Sequence, residues 1–161
     1  MPGMAIVRFL MLLSLVVWLG GLIFFSFVVA PTVFHVLPTR QLAGSVVTRS
    51  LAALHWMGLV SGVIFAASSM AYSYTMRGSA QPFAPRHLLV YAMLALTLAS
   101  QFGISPRMQV LRSSMGQIDE VPHDDPRRVA FNRLHDWSTR LEGSVFFAGL
   151  VLLFLTARRL S

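Results

Sequence analysis

Uncharged apolar stretches alternate with short Arg-bearing interruptions along the whole chain, and the pattern predicts four membrane-crossing helices. Residues 9–30 carry no charge, 51–76 carry none apart from the titratable His55, and 88–106 are uncharged. The fourth apolar run, 143–157, is only 15 residues long. A hydrocarbon core about 30 Å thick takes roughly 20 apolar helical residues, whereas 15 residues rise only about 22 Å. The last crossing must therefore recruit residues before Gly143, giving a span near 138–157 and bringing Glu142 to the membrane edge.

Proline and glycine punctuate the segments. Pro31 and Pro38 are expected to break the chain after the first helix. The stretch "RGSAQPFAP" (77–85) reads as a short loop, and "MGQIDEVPHDDP" (115–126) as the main turn, with Pro126 in the first turn of the last helix and Asp125 capping it. Arg8 and "VVA" at 28–30 imitate a signal peptide, but the apolar run is too long, so the segment is read as a retained helix. Three helices are expected to outrun the bilayer. Nothing breaks helical sequence across 39–76. Met108, Leu111, Met115 and Ile118 recur at 3-4-3 spacing, and Ala130, Leu134, Trp137 and Leu141 at 4-3-4, as packing seams do. The resulting expectation is an all-α fold: one domain over 1–161, an integral membrane four-helix bundle. Its second, third and fourth helices extend beyond the bilayer on the side of the two longer loops. Packing in lipid favours small residues, so Gly58 and Gly62, and also Gly20 and Gly21, are expected close-contact positions.

Composition sharpens this picture. Hydrophobic residues make up 55% and charged residues 12%, with mean hydropathy +0.66, against about 25% charged in soluble domains. The lipid bilayer is thus the first partner, and a bacterial inner membrane is the expected location. The absence of cysteine removes disulfides, thiolate metal sites and thiol nucleophiles. The net charge of +7 comes from thirteen Arg placed in loops and flanks, a topological pattern rather than a nucleic-acid surface. Arg8, Arg77, Arg86, Arg158 and Arg159 share the side of the termini. The other eight lie with the longer loops, and counting favours that side as cytoplasmic.

Topology also sorts the candidate chemistry. His35, His55, His123 and His135 belong to the long-loop side, and His87 to the other. Imidazoles from several helices meeting at one face can hold a transition metal, and Met57 and Met108 would suit Cu(I). Against this, no His pair has helical i, i+4 spacing, and Met in a bundle is more often packing than ligand. Arg128, Asn132, His135, Thr139 and Glu142 share one helical face, most simply a solvated surface. Glu142 stands out, because an ionisable group at membrane depth is costly and tends to face protein or water. Its face, however, continues into Phe146, Leu150 and Leu153, which would leave it at the headgroups. Ser100 and Gln101 are placed to hydrogen-bond across helices. No Ser-His-Asp order, phosphate-binding glycine loop or carboxylate pair supports a soluble-type hydrolase; a non-enzyme is the leading reading, with enzymatic activity left open.

Several stretches together resemble a known family. They are "WLGGLIFFSFVVAPTVF" (18–34), "LHWMGLVSG" (54–62) preceded by "LAG" (42–44), "SPRMQVLR" (105–112), and "FNRLHDWS" (131–138) followed by "GLVLL" (149–153). In this order they resemble the transmembrane protein 205-like family, domain of unknown function 4149. More distantly, the chain is similar to the membrane domain of copper-resistance protein D. The resemblance implies a four-helix integral membrane protein and a tie to metal or metal-drug tolerance. It makes Trp18, Gly20, Gly21 and Pro31 motif positions in the first helix, and Asn132, His135 and Ser138 motif positions in the last. The leading expectation is a protein that binds or handles a metal ion or small ligand at the long-loop end, through His135, His55, His35 and Glu142. Copper or another transition metal would be the cofactor, with haem as a further option. One alternative is a non-enzymatic accessory or assembly subunit, using Gly58 and Gly62 to pack against a membrane-protein partner or a second copy. Another is a haem- or proton-carrying membrane oxidoreductase.

Overall fold

Pro31 sits inside a helix, not at its end. In the computed structural model, which describes residues 2–160, α1 (Pro2–Phe24) widens into a π turn (Phe25–Val29) and continues as α2 (Ala30–Val36). The same device recurs where α4 (Pro85–Leu98) passes through a π turn (Ala99–Ile104) into α5 (Ser105–Met115), with Pro106 just beyond the turn. Proline lacks an N–H and its ring crowds the carbonyl four residues back. In both places the residue before the proline instead bonds five residues back, Ala30 N–H to Phe25 O and Ser105 N–H to Ser100 O. The widened turn relieves the clash and the helix survives. The expected break at Pro31 is thereby corrected: the first helical segment runs on to Val36.

Between them, α3 (Arg40–Arg77) is a single 38-residue helix, about 57 Å long and well beyond a 30 Å core. Thr39 caps its start, with extended backbone and Oγ1 accepting the Leu42 N–H at 3.2 Å. Gly78 ends it in the left-handed region at φ +72°. Thr39→Ala is expected to lower stability by about 1 kcal/mol, read as a fall in the thermal midpoint of the detergent-solubilised protein. A 3-10 turn (Ile118–Glu120) leads to α6 (Pro126–Leu160). Asp125 caps α6 as expected: its Oδ1 accepts the Arg127 N–H at 2.8 Å, and the Arg127 guanidinium beside it holds the carboxyl down to about 2.

Four helical stretches, Gly3–Val36, Arg40–Arg77, Pro85–Met115 and Pro126–Arg159, are long and apolar enough to cross a membrane. They pack as a bundle, α1 along α3, α4 against α6, and α3 against α4, while α5 meets α6 at the long-loop end. Buried Met11, Leu15, Trp18 and Leu22 form the inner stripe of α1. They meet Leu54, Phe65 and Tyr72 of α3, Val90 and Met93 of α4, and Val145 and Leu152 of α6. Large apolar side chains such as Phe24, Phe27, Val63, Phe147 and Phe154 remain exposed, as a lipid-facing surface requires.

The glycines of α3 have an internal task. A Cβ on Gly58 would lie 2.5 Å from Trp18 Nε1, and one on Gly62 would lie 2.6 Å from both Trp18 Cζ3 and Leu94 Cδ2. This pair seats the Trp18 indole of the same chain, which corrects the idea that it is a free surface for a partner. Gly21 is likewise tight, with a Cβ 2.8 Å from Leu54 Cδ1, but Gly20 faces open space.

Neither expected seam is fully buried. In the first, Met115 is buried and Met108, Leu111 and Ile118 are half-buried; in the second, Ala130, Leu134 and Leu141 are equally half-buried and Trp137 is 51% exposed. The buried row of α6 is Arg128, Phe131, Ser138, Val145, Gly149, Leu152 and Thr156. The apolar half of α6 sets this register against α4. An unbroken helix carries the same face onward, so the polar row of its first half also points to the bundle. Trp137 is left outside, where an amphipathic ring suits an interface.

Candidate functional site

His55 lies in the middle of α3 and is only 2% exposed. Its Nε2 is 2.6 Å from Glu142 Oε1 on α6, and its Nδ1 is 2.7 Å from Gln101 Oε1 on the α4–α5 π turn. Ser100, the neighbour of Gln101, donates its hydroxyl to the same Glu142 Oε1 at 3.2 Å. Adjacent residues of an α-helix point about 100° apart. The widened turn lets Ser100 and Gln101 both reach the pair, and π turns of this kind frequently mark functional sites. Three crossings thus hold one charged or proton-sharing pair inside the bundle. With Glu142 ionised, the imidazole donates from both nitrogens. With the carboxyl protonated, Nε2 accepts instead.

Glu142 also forms part of the wall of a cavity of about 550 Å³. All four crossings contribute to it, through Leu22 and Phe34, Gln41 and Leu51, Met108, and Phe131 with His135. Asn132, Ser138 and Thr139 line it too. The row from Arg128 to Glu142 therefore lines the cavity, while Asn132, His135 and Thr139 within it remain exposed. It also places Glu142 against His55.

Cations brace the walls. Arg112 Nη1 donates to the Gly44 carbonyl at 2.5 Å and to Thr48 Oγ1 at 2.8 Å, and its guanidinium lies 5.3 Å over the Phe131 ring. Arg128 donates to the Val121 carbonyl. Arg40 reaches Asp119 at 3.6 Å on the surface. One lining group has no protein partner: Gln41 Oε1 is buried without a hydrogen bond, a state that costs about 1–3 kcal/mol unless something fills it.

The structure unites His55 and Glu142 but not the whole expected set. His135 lines the same cavity, yet it is exposed and stacks on Phe131, with ring centres 6.5 Å apart. His35 is exposed near the end of α2 and His123 is exposed in the turn before α6. Among the described residues, no group of three or more His, Cys, Asp or Glu is placed to hold a metal ion. Met108 lines the cavity, while Met57 is 43% exposed on the outer side of α3.

The family model described as Domain of unknown function (DUF4149) matches residues 13–117, more than half of the chain. The chain belongs to the DUF4149 family. In this DUF4149 protein the matched region spans α1 to α5 and holds His55, Ser100 and Gln101. Glu142 and "LHDWS" follow it on α6. No curated protein and no solved structure gives a significant match.

Three functional features of the DUF4149 protein escaped the sequence pattern. Arg112 read as an interfacial topology signal and Arg128 as part of a solvated face, yet both line the cavity. Gln41 carried no signal. The pairing of His55 with Glu142 crosses 87 positions, and no local spacing announces it. The one available hint was length: the short apolar run forced Glu142 toward the bilayer, where a lone carboxylate needs a partner.

Proposed function

We propose that this DUF4149 protein is a small-ligand binder of the membrane, holding a largely apolar organic molecule in its long-loop cavity with Glu142 as the polar anchor. The observation that carries the reading is the His55–Glu142 pair on the wall of a 550 Å³ cavity. Pockets of about 300–1,000 Å³, mostly apolar with a few convergent polar groups, are the usual form of a small-molecule site. The wall offers acceptors in Glu142 and the orphan Gln41 Oε1 and donors in Arg40, Arg112 and Arg128, so the ligand carries both hydrogen-bond donors and acceptors on its apolar body. An inner-membrane setting in a bacterium, the kinship with transmembrane protein 205-like proteins and the more distant one with copper-resistance protein D belong to the same proposal.

A metal ion is the weaker occupant on chemical grounds. Both ring nitrogens of His55 already face oxygen atoms, so neither offers a free lone pair unless Gln101 or Glu142 is displaced. Native mass spectrometry of gently solubilised protein is expected to show a small organic molecule retained by the wild type. Occupancy should fall at least about tenfold in Glu142→Gln, the loss expected for about 1.4 kcal/mol. Elemental analysis of the same sample supplies the opposing outcome. A stoichiometric transition metal, lost in both His55→Ala and His135→Ala, would replace this reading with a metal site.

A further inference from the structure

The opposite end of the bundle carries a concentration of positive charge with no Asp or Glu side chain to meet it. All six Asp and Glu residues fall between Asp119 and Glu142, so none occurs in α1, α3 or α4. At the termini end, three guanidiniums from three helices nevertheless converge on one neutral patch of α3. Arg86 donates to Ser69 Oγ at 3.0 Å and to Ser73 Oγ at 2.7 Å. Arg159 reaches the same Ser73 Oγ at 3.3 Å and lies 4.6 Å over the Tyr72 ring. Arg8 lies 5.4 Å over that ring and donates to the Tyr72 hydroxyl at 3.2 Å, and its Nε is buried with no hydrogen-bond partner. Like charges gathered on hydroxyls and one aromatic face repel each other. Topology alone asks only that arginines lie on the correct side, and snorkelling would spread them apart into water.

An anion resolves the arrangement. Guanidiniums bind phosphate oxygens with short, paired hydrogen bonds. Arg86 also stands in the first turn of α4, which has no acidic residue of its own, at the positive end of the helix dipole. We propose that Arg8, Arg86 and Arg159 form a binding site for a phosphate group, carried by the headgroup of an anionic phospholipid. The lipid source follows from position. Gly3, Arg77, Pro85 and Arg159 are the ends of the four candidate membrane spans, so the cluster lies where headgroups lie. Ile6, Phe9, Leu88 and Phe154, exposed on the same three helices, offer an apolar surface to acyl chains.

The test measures thermal unfolding of the full chain in a neutral detergent with added phosphatidylglycerol, phosphatidylcholine or inorganic phosphate. Phosphatidylglycerol is expected to raise the midpoint by roughly 5 °C near saturation and phosphatidylcholine by much less. The Arg86→Gln/Arg159→Gln protein should lose at least half of the difference, and Arg133→Gln, on the exposed face of α6, should keep it. If the double variant does not fold, the wild type alone decides the matter. Its response to phosphatidylglycerol must shrink as salt screens the contact, and a salt-independent response counts against the site. Equal stabilisation by the two lipids, or an undiminished response in the folded double variant, overturns the proposal. A shift produced by inorganic phosphate and not by the lipid, and lost in the double variant, keeps the phosphate site but overturns the lipid as its source.

Discussion

Glu142→Ala is expected to destabilise the protein by about 2–4 kcal/mol, among the largest effects of any single polar substitution in the chain. The substitution removes the carboxylate 2.6 Å from His55 Nε2 and the acceptor of the Ser100 hydroxyl, and His55 is almost fully buried. A buried imidazole nitrogen and a hydroxyl then lose their partner together, and the desolvation penalty of each is left uncompensated. The lower half of the range is the better guide, because the Glu142 side chain keeps 17% of its exposure and water from the cavity can enter. Glu142→Gln retains an acceptor oxygen and should cost about half as much. The decisive comparison is the double substitution His55→Leu/Glu142→Leu. Replacing both members of a buried pair with apolar groups is often neutral or stabilising, so the double protein should melt well above Glu142→Ala. If Glu142→Ala unfolds within about 0.5 kcal/mol of the wild type, on the scale of an ordinary surface substitution, the pair is not the structural anchor described here.

Gly58→Ala should cost about 1–3 kcal/mol by overpacking, against the slight gain that Gly→Ala normally brings inside a helix. The new methyl would stand 2.5 Å from Trp18 Nε1 and 2.9 Å from its Cε2, and a rigid indole in a packed bundle has no side to yield to. Trp18→Ala removes the ring from a 2% exposed position and should cost about 3–5 kcal/mol through the cavity it leaves. The two effects should not add. With the indole gone, Gly58→Ala fills part of the void, so its sign is expected to reverse, giving a coupling of about 1–3 kcal/mol. Gly20→Ala supplies the control. Nothing lies within 4 Å of its Cβ position, and its midpoint should stay level or rise. Thermal or denaturant unfolding of the five proteins in one detergent measures the cycle. Additive losses at Gly58 and Trp18 would show that the glycine pair does not seat this ring.

How much of this was open to sequence reasoning depends on whether a feature is local. Asp125 and Pro126 form the start of α6 as their order along the chain foretold, because a cap is made within one turn. The spacing of Met108, Leu111 and Met115 was likewise visible, since it repeats within α5, whereas Ile118 lies beyond that helix in the 3-10 turn. Pro31 misled, because a proline signals a break only if the turn before it cannot widen, and Phe25–Val29 does widen. The seam at Leu134 and Trp137 misled for a different reason. Hydrophobic spacing identifies the apolar side of a helix, but near an interface that side can lie outward while polar residues line a cavity.

The sequence by itself determined that this chain lives in lipid, that it crosses four times, and that its acids and most of its histidines gather at one end. Those features follow from charge-free length and from loop order, each of which is a property of contiguous residues. Only the tertiary structure decided that His55 meets Glu142 and Gln101, that Gly58 seats Trp18, and that Arg8, Arg86 and Arg159 come together. Each of these depends on the rotation of one helix about its axis relative to another. That angle is set by the packing of every crossing at once, and no single segment contains it.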